Sequence, residues 1–255
     1  MTESATQAPS PEHSRAGGAS PWHLGILVGF DLETTGTDPM TARTVTAAVV
    51  YVRSDGTVDP RSQRWLVDPG VPIPDQATAV HGITTEHARA HGVPVDVAVG
   101  EIASALQRAW QAGLPIVVFN AAYDLTLLEA SLARHGLPGL ASRDGWASAA
   151  IIDPLVIDRA VDRYRRGKRT LQVAAEHYRV AATDAHSADG DAIAACLVAR
   201  SIASAYPEVG NAPVDALHRQ QAEWSRVWAT HFQAYVRSRG DASAVIDGTW
   251  PLRLK

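Results

Sequence analysis

The sequence predicts an α/β protein built on a sheet of mixed strand direction covered by helices. Three observations predict it. Gly25 to Asp31 is a short apolar run that ends in a carboxylate, the character of a central strand buried on both faces. The β-branched run Val45 to Arg53, the turn residues Ser54-Asp55-Gly56 and the return from Arg64 to Val67 read as two further strands in a meander. After Val95 the order becomes helix, strand, helix, strand and then helices.

Taken in order, the Pro-rich passage 69–74 reads as loop. Val95 to Ala112 carries Val99, Ile102, Ala103, Leu106 and Trp110 at helical spacing and is closed by Gly113. Leu114 to Phe119 is a fourth strand. It runs straight into a helix, Ala121 to His135, with Leu125, Leu128 and Leu132 on one face and Gly136 as its stop. Ile151 and Ile152 form a fifth strand, ended by Asp153 and Pro154. Short helices are expected over 155–163 and 171–178, an Ala-rich one from Ala188 to Ala205, and a long one over 213–239. That last helix carries a stripe of Leu217, Trp224, Val227, Trp228, Phe232, Tyr235 and Val236. The expected architecture is therefore a mixed five-stranded sheet flanked by helices, with an extra C-terminal helix. Residues 1–21, rich in Ser, Pro, Ala and Gly, read as a disordered tail; 22–207 read as the main domain and 208–255 as a helical extension packed on it.

Bulk properties narrow the function less than the fold. A chain of 255 residues with 46% hydrophobic and 20% charged residues has enough apolar mass for a sizeable core. A lone cysteine, Cys196, forms no internal disulfide, so a reducing compartment is expected. No stretch has the apolar length to span a bilayer, and the first residues lack a signal peptide's basic start and apolar segment. A cytoplasmic location with no membrane partner is the expectation. A net charge of −4 argues against recognition of nucleic acid through one broad basic surface. It does not exclude an enzyme that handles nucleic acid in a cleft, because a carboxylate metal site itself adds negative charge.

Chemistry concentrates in three places. Asp31 and Glu33 lie two apart on a strand and so project from the same face. Such neighbours repel, and a hard divalent cation such as Mg²⁺ or Mn²⁺ relieves the repulsion. Thr34, Thr35 and Gly36 follow, small residues that let a ligand approach the backbone and let the chain bend away. Asp124 falls early in the helix after the fourth strand, beyond Asn120-Ala121-Ala122-Tyr123. The helix dipole alone favours an acid there, but the strand exit also lets it face Asp31 and Glu33. Ser187 can cap the following helix, placing Asp191 about one turn in and His186 just outside it. A histidine beside a metal-binding acid can take a proton from water, since its pKa lies near working pH. Asp189 competes with Asp191 as the ligand on that helix.

Phe30 to Gly36, Asn120 to Asp124, and His186 with Asp191 five positions on resemble the three exonuclease motifs of the DEDDh family. The proofreading subunit of bacterial replicative DNA polymerase, ribonuclease T and oligoribonuclease belong to that family. His81-Gly82-Ile83-Thr84 is similar to the segment whose histidine packs near the terminal nucleotides in proofreading members. The resemblance covers roughly 25–205. It implies a ribonuclease H-like fold and two-metal-ion 3′→5′ hydrolysis. By that resemblance Asp31 bridges two divalent ions, Mg²⁺ or Mn²⁺. Glu33 and Asp191 complete the first ion, Asp124 holds the second, and His186 is the general base. Leu32, Thr34, Thr35, His81, Ile83, Asn120 and Tyr123 are candidate substrate contacts, with Phe30 a further one; for Phe30 and Ile83 core packing is the competing reading.

The substrate implied is the 3′ end of single-stranded DNA, in proofreading, repair or end trimming. RNA is the alternative, since the motifs do not show the sugar preference. A non-catalytic docking module is the reading from another class. Arg163 to Arg169 holds five cations, and Arg165, Arg166, Lys168 and Arg169 are either phosphate contacts or a solvated loop. Asp153 reads as structural. Trp224 and Trp228, one helical turn apart, pin the last helix to the body or offer a face to a polymerase or a second copy.

Overall fold

The computed structural model describes residues 20–181 and 187–253. Most of the predicted tail therefore lies outside the described residues, as does His186. The chain begins with a meander: β1 (Leu27–Thr34), β2 (Thr44–Val52) and β3 (Gln63–Asp68). Two short helices, α1 (Asp75–His81) and α2 (Thr85–His91), lead to β4 (Val93–Pro94) and α3 (Val95–Gln111). β5 (Ile116–Val117), α4 (Ala121–Arg134), β6 (Ile151–Ile152) and α5 (Pro154–Val161) follow. The remaining helices are α6 (Leu171–His177), α7 (Ala188–Ala205), α8 (Pro207–Gly210) and α9 (Val214–Ser238).

The sheet runs in the order β4-β3-β2-β1-β5-β6. β2 is antiparallel to both neighbours, whereas β5 and β6 run parallel to β1. The mixed sheet covered by helices is as expected. It has a sixth strand, because Val93 and Pro94 pair with the end of β3. A two-residue strand containing a proline has too little period-2 pattern to be read from sequence.

Alternation along β1 sorts its residues between two apolar layers. Val28, Phe30 and Leu32 join the layer formed with α3 and α4, while Leu27 joins the layer formed with α7. By the same alternation Gly29, Asp31 and Glu33 share the α7 face. Gly29 decides how close that helix can come: a Cβ there would collide with the Ala192 carbonyl and lie 3.0 Å from the Cys196 sulfur. With glycine at that position, α7 rests directly on the β1 backbone.

The C-terminal extension completes an open edge. Among the described residues β6 has no further strand beside it, and α9 lies along it instead. His218 Nδ1 accepts from the Ile151 amide at 3.1 Å, and Gln221 Oε1 accepts from the Asp153 amide at 2.6 Å. Gln221 Nε2 donates to the Ile151 carbonyl at 3.0 Å. Two side chains thus satisfy backbone groups that a neighbouring strand would have paired. The segment after α9 turns back along it, and the Arg253 amide reaches Thr126 on α4 at 3.0 Å.

Candidate active site

β1 brings in two carboxylates and α7 a third. Oxygens of Asp31, Glu33 and Asp191 lie within 4.8 Å of one another. Ser187 caps α7, its side chain accepting from the Gly190 amide at 3.2 Å, and this fixes the first turn that carries Asp191. Asp189, the rival on the same turn, is instead engaged by Arg64 of β3 at 2.6 Å. The structure therefore brings Asp191, and not Asp189, to Asp31 and Glu33.

Asp124 arrives from the other side. β5 stops at Val117, which pairs with Gly29, so beyond that point the adjacent edge of β1 has no strand partner. Val28 donates toward β5, to the Pro115 carbonyl, and by alternation the Leu32 amide points the same way. Its acceptor is Asp124 Oδ1 at 3.1 Å. The first turn of α4 thus takes over where the strand ends.

That turn is held by an unusual arrangement. Asn120 sits in the left-handed region at φ 68°, a conformation asparagine tolerates better than most residues, and it bends β5 sharply into α4. The Asn120 and Ala121 amides donate to the two oxygens of Asp153, at 3.0 and 2.9 Å. The same carboxylate caps α5 through the Leu155 amide at 3.0 Å. Asp153 therefore caps two helices, one of which carries Asp124.

The electrostatics are those of acids crowded together. Burial, then Asp124, Asp191 and Glu33, push the Asp31 carboxyl well above its ordinary range. Burial and Asp191 push Glu33 up to about 7. Asp124 is also raised by burial, opposed by its bond from the Leu32 amide. All the donors are carboxylate oxygens, the set that suits a hard divalent cation.

Comparisons with known proteins agree with this geometry. An exonuclease family model matches residues 28–199. The chain belongs to this exonuclease family. Among curated relatives, the PolC-type DNA polymerase III of Streptococcus agalactiae is 27% identical over 171 residues, 65% of this chain and 11% of that protein. The Streptococcus mutans PolC-type polymerase is 26% identical over 166 residues, 63% of this chain and 10% of that protein. The exonuclease chain thus spans about a tenth of the length of these relatives. Among solved structures, E. coli exonuclease I in complex with a dT13 oligonucleotide superposes with a TM-score of 0.59 at 20% identity, over 72% of this chain and 42% of that one. This likeness shows the ribonuclease H-like fold.

The remaining predicted site residues of the exonuclease divide into two groups. Glu33, His81 and Ile83 line a cleft of about 310 Å³ together with Arg64, Trp65, His87 and Asp189. The His81 Nδ1 accepts from the Ile83 amide at 3.1 Å, so the proton of the neutral ring sits on Nε2, which is buried and unpartnered among the described residues. Burial lowers the pKa of His81, opposed by the nearby Thr34 carbonyl. Thr34, Thr35 and Tyr123 build the bend after β1 instead. Thr34 and Tyr123 hydroxyls lie 2.7 Å apart and both reach the Gly36 carbonyl, and Thr35 accepts from the Arg43 amide at 2.9 Å. Leu32 and Phe30 are buried in the core.

Two of the predicted phosphate contacts require correction. Arg165 and Arg169 converge on the buried Asp158, Arg169 at 2.7 Å, and Arg165 also pairs with Asp162 at 2.8 Å. Their guanidinium donors are turned inward and hold the loop together, leaving Arg166 and Lys168 exposed. Sequence reasoning missed Arg64, whose partner lies 125 residues away. A lone arginine on a meander strand gives no signal of that kind.

Among the described residues, no helix is long and apolar enough to cross a membrane.

Proposed function

We propose that this chain removes nucleotides from the 3′ end of single-stranded DNA, using divalent metal ions held by Asp31, Glu33, Asp191 and Asp124. The observation that carries the reading is the convergence of these four acids from β1, α4 and α7 on one end of the sheet. Their mutual repulsion is relieved by cations, and the all-oxygen donor set fits Mg²⁺ or Mn²⁺. Asp31 would be shared between two ions, with Glu33 and Asp191 on one and Asp124 on the other. Bound there, the ions would supply stabilisation of charge developing on the attacking and leaving oxygens.

The chain's own residues do the rest. The cleft beside Glu33, lined by His81, Ile83 and Trp65, receives the terminal nucleotide. His81, its Nε2 buried on the side of the Thr34 carbonyl, forms part of the wall against which that nucleotide packs. Arg64 holds Asp189 and with it the first turn of α7, so that Asp191 keeps its direction. His186 immediately precedes the capping residue Ser187 and accepts the proton of the attacking water. Arg166 and Lys168 contact backbone phosphates of the incoming strand. Residues 22–207 form the nuclease domain and 208–255 its extension, acting in the cytoplasm. The relatives support this reading: one group consists of DNA polymerases, and E. coli exonuclease I forms complexes with a dT13 oligonucleotide and with ssDNA.

The test is incubation of the protein with 5′-labelled single-stranded DNA and matched RNA, with Mg²⁺, Mn²⁺ or EDTA, beside Asp31→Ala. A metal-dependent ladder of shortened 5′-labelled DNA, absent in the variant, is expected. Preferential cutting of the RNA would reassign the substrate, and no ladder on either strand would overturn the reading.

A further inference from the structure

The second half of α9 carries an exposed aromatic ladder that the nuclease site does not use. Trp228 and Phe232 stack with ring centroids 4.9 Å apart and planes 15° apart. Phe232 and Tyr235 continue the stack at 6.3 Å and 23°. Phe232 is 38% and Tyr235 57% exposed, so two of the three rings meet solvent. Flat rings held parallel in a row form a surface on which successive nucleobases can stack.

The side chains lining the cleft beside the ladder are cationic or neutral. The Arg159 guanidinium of α5 sits 3.8 Å above the Trp228 ring. Arg159 and Arg163 line a cleft of about 430 Å³ with Trp224, Val227, Trp228 and His231, and no acidic residue lines it. After Glu223, α9 contains no acid and carries Arg226, His231 and Arg237, in a protein whose net charge is −4. Tyr164, 84% exposed, stands beside Arg163, whose guanidinium lies 5.2 Å from its ring. Cations and aromatic rings interleaved in this way complement a phosphate backbone with unstacked bases more closely than they complement an apolar protein face.

The direction of α9 places this surface on the side of the nuclease site. His218 and Gln221 bond to Ile151 and Asp153 in the same order as β6 runs, so α9 travels with β6 toward the strand's C-terminal end. β6 is parallel to β5 and β5 to β1, so Asp31 and Glu33 lie toward that same end. Tyr235 is fourteen residues beyond Gln221, about 21 Å further along the helix axis.

From these observations we infer that the Trp228, Phe232 and Tyr235 ladder, with Arg159 and Arg163, is a second binding surface for single-stranded nucleic acid, holding the portion of a strand upstream of the end being processed. The inference rests on the nuclease reading for the strand's identity, but its test does not require hydrolysis. Long strands would then be held at two places and short ones only at the carboxylate site, so long strands bind more tightly.

The test compares the wild-type protein with Phe232→Ala combined with Tyr235→Ala, two exposed positions outside the proposed nuclease machinery. Affinity for a 5′-fluorescein oligothymidylate of about 20 nucleotides is read by anisotropy in EDTA. Hydrolysis of one of about 4 nucleotides is read with Mg²⁺. The expected result is a loss of long-strand affinity of about tenfold or more, with short-strand turnover and thermal midpoint unchanged. Equal long-strand affinity in the variant overturns the inference, as does a fall in short-strand turnover as large as the loss of long-strand affinity. Unchanged affinity with loss of self-association would assign the ladder to a second copy of the chain. A wild-type protein that binds the long strand through the ladder but cuts nothing would overturn the nuclease reading and leave this one standing.

Discussion

The indole Nε1 of Trp250 donates to Oδ2 of Asp153 at 3.2 Å, joining the end of the chain to the carboxylate that caps both α4 and α5. Through Asp153 this contact reaches the turn that carries Asp124.

Substitution at Asp153 should therefore cost more than an ordinary helix cap. Asp153→Ala removes acceptors from Asn120, Ala121 and Leu155 at once, in a fully buried position. We expect a loss of about 2–4 kcal/mol in urea unfolding. Trp250→Phe removes the donor and part of the buried indole's packing, so it should cost about 1–2 kcal/mol. Reduced nuclease turnover in Asp153→Ala under conditions where it remains folded would show the coupling to Asp124.

Gly29→Ala tests the close approach of α7 to β1. The added methyl meets the Ala192 carbonyl, one residue from Asp191, and either the helix or the strand must shift. A destabilisation of about 1–3 kcal/mol is expected. Weaker Mn²⁺ binding by isothermal titration should accompany it, because Asp191 moves away from Asp31 and Glu33. Unchanged metal affinity would mean that α7 does not set the carboxylate spacing.

The raised acids give the metal-free protein a particular pH dependence. Asp31 and Glu33 hold protons more tightly folded than unfolded. Between the ordinary carboxylate range and about 7, where Glu33 titrates, the folded state binds more protons, so stability falls as pH rises through that window. Urea unfolding in EDTA at pH 5 and pH 8 should show this decline. It should shrink in Asp31→Asn and in saturating Mg²⁺, which binds only the folded carboxylates.

The cationic loop separates into two kinds of position. Asp158→Ala takes the carboxylate partner from the largely buried Arg169 and leaves Arg165 with Asp162 alone, and should cost about 3 kcal/mol. Reversing Arg166 and Lys168 to Glu should leave stability within about 0.5 kcal/mol, because both are exposed. That pair should instead weaken DNA binding and flatten its salt dependence, measured by anisotropy across a NaCl series.

What the sequence revealed and what it hid follow from the range of the interactions. Strand alternation put Asp31 and Glu33 on one face, and Ser187 marked the start of the helix bearing Asp191; both signals are local. The helices α1 and α2 went unread because each has seven residues and little apolar periodicity, with only Ala88 buried between them. Arg165 and Arg169 resembled a solvated charge run because their partner Asp158 lies seven and eleven residues earlier, on another element. The pairing of Arg64 with Asp189 depends on the tertiary fold and left no trace in either neighbourhood. Gln221 did leave one: a polar residue within the stripe from Leu217 to Trp224, and it proves to be buried against β6.

The finish given to β6 has a consequence for how copies of this chain can meet. Backbone amides and carbonyls along an unprotected outer strand invite a strand from another molecule. Here the row at β6 is already occupied by His218 and Gln221, and the opposite margin is a two-residue strand ending in Pro94, which has no amide to offer. The β6 margin is thus closed to lengthening by α9. A chain shortened to end before α9 would uncover the Ile151 and Asp153 amides, and its tendency to assemble through them would mark the extension as a guard on the nuclease's solubility.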